Sequence, residues 1–407
     1  MNQYKAWRAG RKGENKMIEM DRRQFLSLAG AACASLAFGK MVAHADNLPK
    51  LGRVTLPVGM YIIDAHEHPD HFYLPDCLSC DSTSTVDLVN SLWMNGTSFS
   101  AVGDHSSGSS LPRVDFDQLR TQLHYVKDLE ASGKVMIVRK YSDIPKVASA
   151  TEYVPRAILS VEGAAPIVAD LTSPNDLNEV RDRIWTLYED GVRLITLMHY
   201  QANGIGDVMT SDPVNMGLTE MGGAIVEQMI ACGMVIDVAH AHIDTLRDIA
   251  EIAHSSRKPI IDSHTSPSYL NDPYPDPAWP EKPLKTRLRS WLEIEMIVEK
   301  GGLFCTWPLK VSRPGKPSNR ETILDWANEI LMLKNRYGIK HIGLGTDSGG
   351  GLPGLVDGWE NIMNVTDLSE AMQGVGLKMS DVKAYMGGNL LKVLKKCIGN
   401  KIKSSSP

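Results

Sequence analysis

The chain alternates short apolar runs with amphipathic segments from residue 61 to near its C-terminus. The apolar runs are rich in Val and Ile, which is typical of buried strands. The amphipathic segments between them, such as 175–190, 219–232, 292–300 and 319–337, predict helices. The strand candidates are 61–65, 98–102, 135–138, 157–161, 192–198, 234–239, 259–263, 303–306 and 341–346.

Strands that alternate with helices indicate parallel βαβ units. The pattern therefore predicts an α/β fold, a single-domain (β/α)8 TIM-like barrel. It contains one strand candidate more than that barrel needs, and 135–138 is the weakest of them. A doubly wound open sheet is the alternative fold.

Polar residues at the ends of strand candidates favour the barrel over the open sheet. In a barrel, the C-terminal ends of all strands meet on one face, where catalytic groups lie. An open sheet would spread such residues along an edge. The residues at these ends are His66, Glu162, His199, His240, His264 and Asp347.

The composition is that of an ordinary globular protein, with 43% hydrophobic and 22% charged residues among 407. The net charge is -5. Proteins that bind nucleic acid usually carry an excess of basic residues, so this charge does not indicate a nucleic-acid partner. No apolar run reaches the roughly 20 residues of a membrane span. Cys77 and Cys80 form a lone CxxC, and without a second CxxC it does not indicate a structural zinc site.

The first 45 residues have the layout of an export signal. Arg22 and Arg23 precede a large apolar pair, a run of small apolar residues and a small-x-small site ending at Ala45. The arginine pair indicates the twin-arginine route, so we expect a periplasmic or otherwise exported protein. The predicted organisation is a signal over 1–45, a linker over 46–60, the (β/α)8 domain over 61–400 and a polar tail over 401–407.

His66 and His68 end the first strand candidate. They are two residues apart, so in an extended strand both imidazoles point to the same side and can share one zinc ion. His240 and His242 have the same spacing, but we interpret His242 as a solvated loop residue.

A second metal site is predicted from three further strand ends. His240 and His264 close two similar segments, each an apolar strand, an Asp and then the His. Glu162 follows an apolar strand, where an unpartnered carboxylate would be costly to bury, and we interpret it as a bridge between two cations. Asp237 and Asp262 are either acceptors for the ligand imidazoles or polar residues on the other face of their strands.

Asp347 ends the last strand candidate and precedes three glycines, which open the turn behind it. A carboxylate beside two cations can take a proton from water and pass it to a leaving amine. We therefore predict that Asp347 is the catalytic acid and base.

Several motifs in combination resemble the membrane (renal) dipeptidases, a binuclear-zinc branch of the amidohydrolase-like barrels. The similarity extends over residues 61–395. The matching motifs are Gly-Val-Arg-Leu-Ile-Thr-Leu-Met-His at 191–199, Gly-Leu-Thr at 217–219, Gly-Met-Val-Ile-Asp-Val-Ala-His at 233–240, Ser-His-Thr at 263–265, Gly-Thr-Asp at 345–347 and Gly-Gly-Asn-Leu-Leu at 387–391.

The resemblance implies roles for the candidate residues. His66 and His68 would hold one zinc ion, His240 and His264 the other, and Glu162 would bridge them; other divalent metals could take their place. His199 would polarise the scissile carbonyl, Asp347 would be the acid and base, and Arg287 would bind the substrate carboxylate.

Two positions depart from the family pattern. His68 stands where the family has Asp. Tyr200 stands where the family has Asn directly after the histidine of the fifth strand candidate, which is His199 here. Tyr200 joins His199 and Arg287 among the expected substrate-binding residues.

We expect a zinc-dependent dipeptidase that acts on a small peptide or amide. The twin-arginine export machinery is an expected interaction partner. One alternative is a hydrolase of another amide or a lactone, such as an N-acyl amino acid or a β-lactam-like compound. A second is a non-catalytic periplasmic metal- or solute-binding protein. We retain a homodimer among the candidate assemblies.

Overall fold

A computed structural model describes residues 4–7, 17–20, 60–73, 86–91, 95–104, 114–145, 154–171, 176–268, 287–312, 318–352 and 354–399. The chain divides into two compact units, Met1–Val54 and Thr55–Pro407. In the first, Tyr4–Trp7 pairs antiparallel with Met17–Met20, a hairpin that the sequence did not predict. The predicted signal beyond residue 20, the linker as far as residue 59, Cys77, Cys80 and the tail from 401 lie outside the described residues.

The large sheet of the second unit has ten described strands, and eight parallel ones form its continuous path, each hydrogen-bonded to the next of the eight along the chain. We number them β1 (Ile63–Asp64), β2 (Gly96–Val102), β3 (Arg156–Glu162), β4 (Leu194–Thr196), β5 (Val235–Asp237), β6 (Ile260–Pro267), β7 (Leu303–Thr306) and β8 (Ile342–Leu344).

Backbone contacts between the first and last strands close this sheet into a barrel. The Ala65 amide donates to the Leu344 carbonyl at 3.1 Å, and the Asp347 amide donates to the His66 carbonyl at 2.9 Å. Beyond them, Glu67 and Ser348 form a parallel bridge. The predicted (β/α)8 barrel is confirmed, and the open-sheet alternative is wrong.

The strand candidate 135–138 forms a strand, Met136–Ile137, that is not one of the eight barrel strands. Met136–Ile137 pairs with the first two residues of β3, below the point where β4 begins its own pairing with β3. Leu288–Arg289 adds to the end of β6, and Val311–Ser312 pairs antiparallel with Ser318–Arg320.

Helices follow the strands as the amphipathic segments predicted. They are α1 (Val86–Ser91), α2 (Phe116–Ala131), α3 (Leu177–Asp190), α4 (Glu220–Cys232), α5 (Ile243–Ser255), α6 (Trp291–Val298), α7 (Ile323–Tyr337), α8 (Val365–Gly374), α9 (Met379–Lys383) and α10 (Asn389–Cys397). At the starts of α4 and α7, the side chains of Thr219 and Thr322 each accept a hydrogen bond from a backbone amide that would otherwise be free.

The Gly-Gly-Asn-Leu-Leu motif has a structural role beneath the barrel. A Cβ atom at Gly387 would lie 2.8 Å from the Ile63 backbone nitrogen, so only glycine allows this approach to β1. The Asn389 amide donates to the carbonyls of Ile339 and Ile342. Apolar residues of α10 then pack against residues at the starts of the strands and close that end of the barrel.

The described part of the chain contains no helix that is both long and apolar enough to cross a membrane. Three of its cysteines, Cys232, Cys305 and Cys397, are buried and have free thiols.

Candidate metal centre

The predicted site residues come together at the C-terminal face of the barrel. His66, His68, Glu162, His199, His240 and His264 are buried there, and Asp347 is 9% exposed. Three overlapping groups have ligand atoms close enough to share a metal ion: His66 with His68 and Glu162, Glu162 with His240 and His264, and His66 with His264 and Asp347. The convergence predicted from the strand ends is confirmed.

The first histidine pair lies against one side of the Glu162 carboxylate. Nε2 of His66 is 3.4 Å from Oε1, and Nε2 of His68 is 3.3 Å from Oε2. The two Nε2 atoms are 3.2 Å apart. The His68 imidazole therefore lies beside that of His66 and faces the same carboxylate.

The second histidine pair shares the same carboxylate. Nε2 of His240 lies 3.1 Å and Nε2 of His264 3.4 Å from Oε1 of Glu162, and the two nitrogens are 3.1 Å apart. Glu162 thus lies between two pairs of imidazoles that come from three barrel strands, β1 for His66 and His68, β5 for His240 and β6 for His264. A carboxylate in this position could bridge two cations.

The hydrogen bond of His68 tests whether a cation fits here. Its Nδ1 lies 2.7 Å from the carbonyl oxygen of Ser100, and because a carbonyl can only accept, Nδ1 carries the proton. In the neutral ring Nε2 is then a bare lone pair, directed at the Glu162 carboxylate. Two acceptors this close repel each other unless a cation lies between them, so the donor set fits a divalent metal.

The Ser263 hydroxyl connects the two halves of the centre. Its Oγ lies 2.8 Å from Nδ1 of His264 and 3.3 Å from Nδ1 of His66. A hydroxyl oxygen has two lone pairs, so it can accept from both Nδ1–H groups. That arrangement leaves Nε2 of each ring free for a metal, one in each pair.

The electrostatics of the centre also favour a cation. Burial opposes ionisation of Glu162, but the imidazoles of His199 and His66 hold its pKa well below the usual range. Burial would lower the pKa of His66, yet the carboxylates of Glu162 and Asp347 raise it to about 9. By contrast, burial and the Arg287 guanidinium lower the pKa of His240 and of His264, so these two rings are neutral donors.

His199 faces the centre from the end of β4 and is oriented by Asp104. Nδ1 of His199 lies 2.8 Å from Oδ1 of Asp104 and 3.0 Å from its carbonyl oxygen. Nε2 points at the centre, 3.5 Å from Oε2 of Glu162. Burial acts against protonation, but Glu162 and Asp104 raise the pKa of His199 overall. A protonated His199 could donate to a developing negative charge.

Asp347 lies beside the first histidine pair. Its Oδ1 is 3.6 Å from Nε2 of His68 and 4.0 Å from Nε2 of His66, and burial raises its pKa. Asp347 has a φ of 52° and His240 a φ of 65°, conformations that cost energy in residues other than glycine. A Cβ atom at Gly350 would lie 2.0 Å from Oδ1 of Asp347, so the glycine after the strand makes room for this carboxylate.

Arg287 and three aromatic residues form the rim. Nη2 of Arg287 donates to the His264 carbonyl at 3.2 Å, and its guanidinium lies over the Trp307 ring. The ring of Tyr200, which is 42% exposed, lies 4.1 Å from that of His199. The Tyr73 ring lies 4.9 Å from that of His68. The substrate-binding candidates therefore surround the predicted metal ligands.

One interpretation of the sequence is wrong. His242 is 4% exposed and begins α5, where its Nδ1 accepts from the Asp244 amide, so it is not solvated. The carboxylate of Asp237 accepts from Thr196 and from two backbone amides, and that of Asp262 pairs with Arg289. Neither carboxylate is hydrogen-bonded to a ligand imidazole.

The sequence analysis missed Asp104, Ser263 and Trp307. Asp104 lies two residues after β2, Ser263 lies within β6 directly before His264, and Trp307 directly follows β7. That position was the available signal. Ser263 and Trp307 do not belong to the His, Glu and Asp pattern from which ligands were chosen, and Asp104 was overlooked although its residue type fits that pattern.

The site belongs to a chain with clear relatives. Residues 95–406 match the model of the family described as membrane dipeptidase (peptidase family M19). Dipeptidase verJ of Clonostachys rogersoniana is 24% identical over 375 residues, which cover 87% of this chain and 88% of that protein. Dipeptidase tcpJ of Claviceps purpurea is 28% identical over 260 residues, and the match covers 64% of this chain but 57% of that relative.

A solved structure shows the same fold. A metallo peptidase from Rhodobacter sphaeroides, liganded with a phosphinate mimic of the dipeptide L-Ala-D-Ala, has a TM-score of 0.65 and 16% sequence identity to this chain. The superposition covers 83% of this chain and 99% of that one.

Proposed function

The chain belongs to the membrane dipeptidase family, whose members are metallopeptidases, and from this membership we propose that it hydrolyses the amide bond of dipeptides with two divalent metal ions. Zinc is the ion that we propose for both sites, because a set of imidazole and carboxylate donors suits it well.

The observation that carries the proposal is the position of Glu162 between two histidine pairs. His66 and His68 would hold one ion, and His240 and His264 would hold the other. The Glu162 carboxylate, which lies against both pairs, would contribute to both sites. When bound, the ions supply Lewis acidity to the attacking water and to the scissile carbonyl.

The side chains around the centre supply the proton transfers. The oxygen of a water molecule attacks the scissile carbonyl carbon, and Asp347 takes the proton that the water loses. His199 donates from Nε2 to the carbonyl oxygen as negative charge develops there. The C–N bond then breaks, Asp347 passes its proton to the leaving amine, and two amino acids are released.

Arg287 and Tyr200 are the substrate-binding residues of this proposal. The Arg287 guanidinium has no carboxylate partner within 4.0 Å among the described residues, and it lies beside the second histidine pair. A substrate carboxylate could pair with it through two parallel hydrogen bonds. Tyr200 lies over His199 at the exposed side of the centre and would contact the substrate backbone or side chain.

We also propose that the protein is exported by the twin-arginine route. The support is the segment from Asp21 to Ala45, with its arginine pair, apolar run and small-x-small site. That route carries folded proteins, which suits an enzyme that acquires its metal ions before export.

The test is a metal analysis combined with a panel of dipeptides, N-acyl amino acids and lactones. We expect the purified protein to bind two divalent ions per chain and to cleave dipeptides. A chelator should abolish the cleavage, and added zinc should restore it. Metal-loaded protein that cleaves lactones or N-acyl amino acids but no dipeptide would favour the second hydrolase function. Metal-loaded protein that cleaves nothing in the panel would indicate a binding protein.

A further inference from the structure

The Arg287 guanidinium is held by weak partners. Its Nη2 donates to the His264 carbonyl at 3.2 Å, and its Nη1 lies 3.7 Å from the Met209 sulfur, a poor acceptor. Because no carboxylate of the described residues pairs with it, something else must fix its position before a substrate arrives.

Trp307 provides the largest contact. Cζ of Arg287 lies 5.1 Å from the centroid of the Trp307 ring, within the range of a cation–π interaction. The same indole lies 5.4 Å from the imidazole of His264. The Trp307 side chain is 2% exposed, so its orientation is set by buried neighbours.

The Trp307 indole is fixed in turn by a buried hydroxyl. Nε1 of Trp307 donates to Oγ of Ser266 at 2.9 Å, and Nη2 of Arg320 donates to the same oxygen at 2.7 Å. The hydroxyl has two lone pairs and accepts both bonds. Arg320 is fully buried and ion-paired with Glu329, which lies on α7.

These four contacts connect five side chains in a row that ends at Arg287. Glu329 fixes Arg320, Arg320 and Trp307 share Ser266, and Trp307 lies under the guanidinium. A buried ion pair is weak evidence for stability, because desolvation offsets most of its Coulomb energy. The Arg320–Glu329 ion pair is, however, connected through Ser266 and Trp307 to the guanidinium of Arg287 at the rim of the metal centre.

We propose that Ser266, Trp307 and Arg320 are positioning residues that hold the Arg287 guanidinium in the orientation that binds the substrate carboxylate. This inference rests on the proposed function, in which Arg287 recognises that carboxylate. It makes selectivity for a free carboxylate depend on residues that do not touch the substrate.

The test compares the best dipeptide of the panel with its C-terminal amide. In Ser266→Ala, kcat/KM for the dipeptide should fall about tenfold, mainly through KM, because a misplaced guanidinium weakens binding of the carboxylate. The amide should lose less than about twofold, since it lacks that charge. Ser268→Ala is the matched control, because Ser268 lies two residues further along, is buried, and has an Oγ without a partner among the described residues.

A double-mutant cycle with Arg287→Ala separates the positioning role of Ser266 from the recognition of the substrate carboxylate by Arg287. In the Arg287→Ala background, Ser266→Ala should cost nothing further. Additive losses, or equal losses on the dipeptide and the amide, would overturn the positioning role. If Arg287→Ala itself affects both substrates equally, the proposed recognition of the carboxylate fails instead.

Trp307→Phe repeats the test without changing Ser266. It keeps an aromatic face for the guanidinium but removes the N–H donor, so the same loss of carboxylate selectivity is expected. If Ser266→Ala does not fold or loses metal, this variant decides the matter. Selectivity equal to that of the unmodified enzyme in a folded, metal-loaded Trp307→Phe protein would contradict the proposal.

Discussion

Nε2 of His66 lies 3.2 Å from Nε2 of His68, and both face the carboxylate of Glu162. Nδ1–H of His68 donates to the Ser100 carbonyl, so Nε2 is the ring nitrogen that faces the centre. The first proposed metal site therefore has two imidazoles and shares its single carboxylate, Glu162, with the second site.

The first prediction concerns the charge of that site. His68→Asp replaces a neutral donor by a negative one and should bind the first metal ion more firmly, while inhibition by phosphate should weaken. Competition with a chelator and the phosphate inhibition constant measure the two effects. His242→Asp is a suitable control, because His242 has the same spacing from His240 but lies at the start of α5. If neither quantity changes, His68 is not a metal ligand.

Asp347→Asn tests the proton transfer. Asparagine keeps the shape of the side chain and tolerates the φ of 52° at this position. Because general acid–base catalysis contributes about 100- to 10,000-fold, turnover should fall by that factor while metal content is unchanged. Kinetics and metal analysis on the same sample check this. A variant that also loses a metal ion would make Asp347 a ligand.

Arg287→Ala should weaken transition-state binding of a dipeptide by about 2–5 kcal/mol, as expected when a buried charge pair loses one partner. Esterified or amidated substrates should show little additional loss, since they carry no carboxylate for Arg287. The measurement is kcat/KM on both kinds of substrate. Equal losses would show that the residue supports the structure rather than the substrate.

Ser263→Ala should weaken metal binding in both halves of the centre. The variant removes the acceptor that lies within 3.3 Å of Nδ1 in His66 and 2.8 Å in His264, one ligand of each proposed site. Loss of such an orienting partner typically costs about 10- to 100-fold in metal affinity, which a chelator titration measures. Ser98→Ala is the control, because the buried Ser98 hydroxyl bonds to other serines of the barrel. Unchanged affinity in Ser263→Ala would exclude the orienting role.

The export prediction rests on the sequence, because Arg22 and Arg23 lie outside the described residues. Changing both to Lys keeps the charge but removes the arginine pair that the export receptor recognises. The precursor should then accumulate in the cytoplasm, which fractionation and immunoblotting would detect. Normal export of the double variant would refute the twin-arginine route.

The sequence by itself determined the barrel and most of the candidate centre. Strand and helix periodicity are local, and their alternation already predicts parallel strands. In such a barrel the C-terminal strand ends must meet on one face, so His66, Glu162, His240, His264 and Asp347 could be grouped before any contact was known.

The hydrogen-bond partners of these residues became known only from the tertiary structure. Asp104 reaches His199 across 95 positions of sequence, and Ser263 reaches His66 across 197. Likewise, spacing could not distinguish His68 from His242, since both belong to an HxH pair. Closure of the barrel places His68 in the centre, whereas the start of α5 buries His242 elsewhere. A hydrogen bond depends on distance and angle between particular atoms, and those are fixed by strand pairing and loop packing rather than by local periodicity.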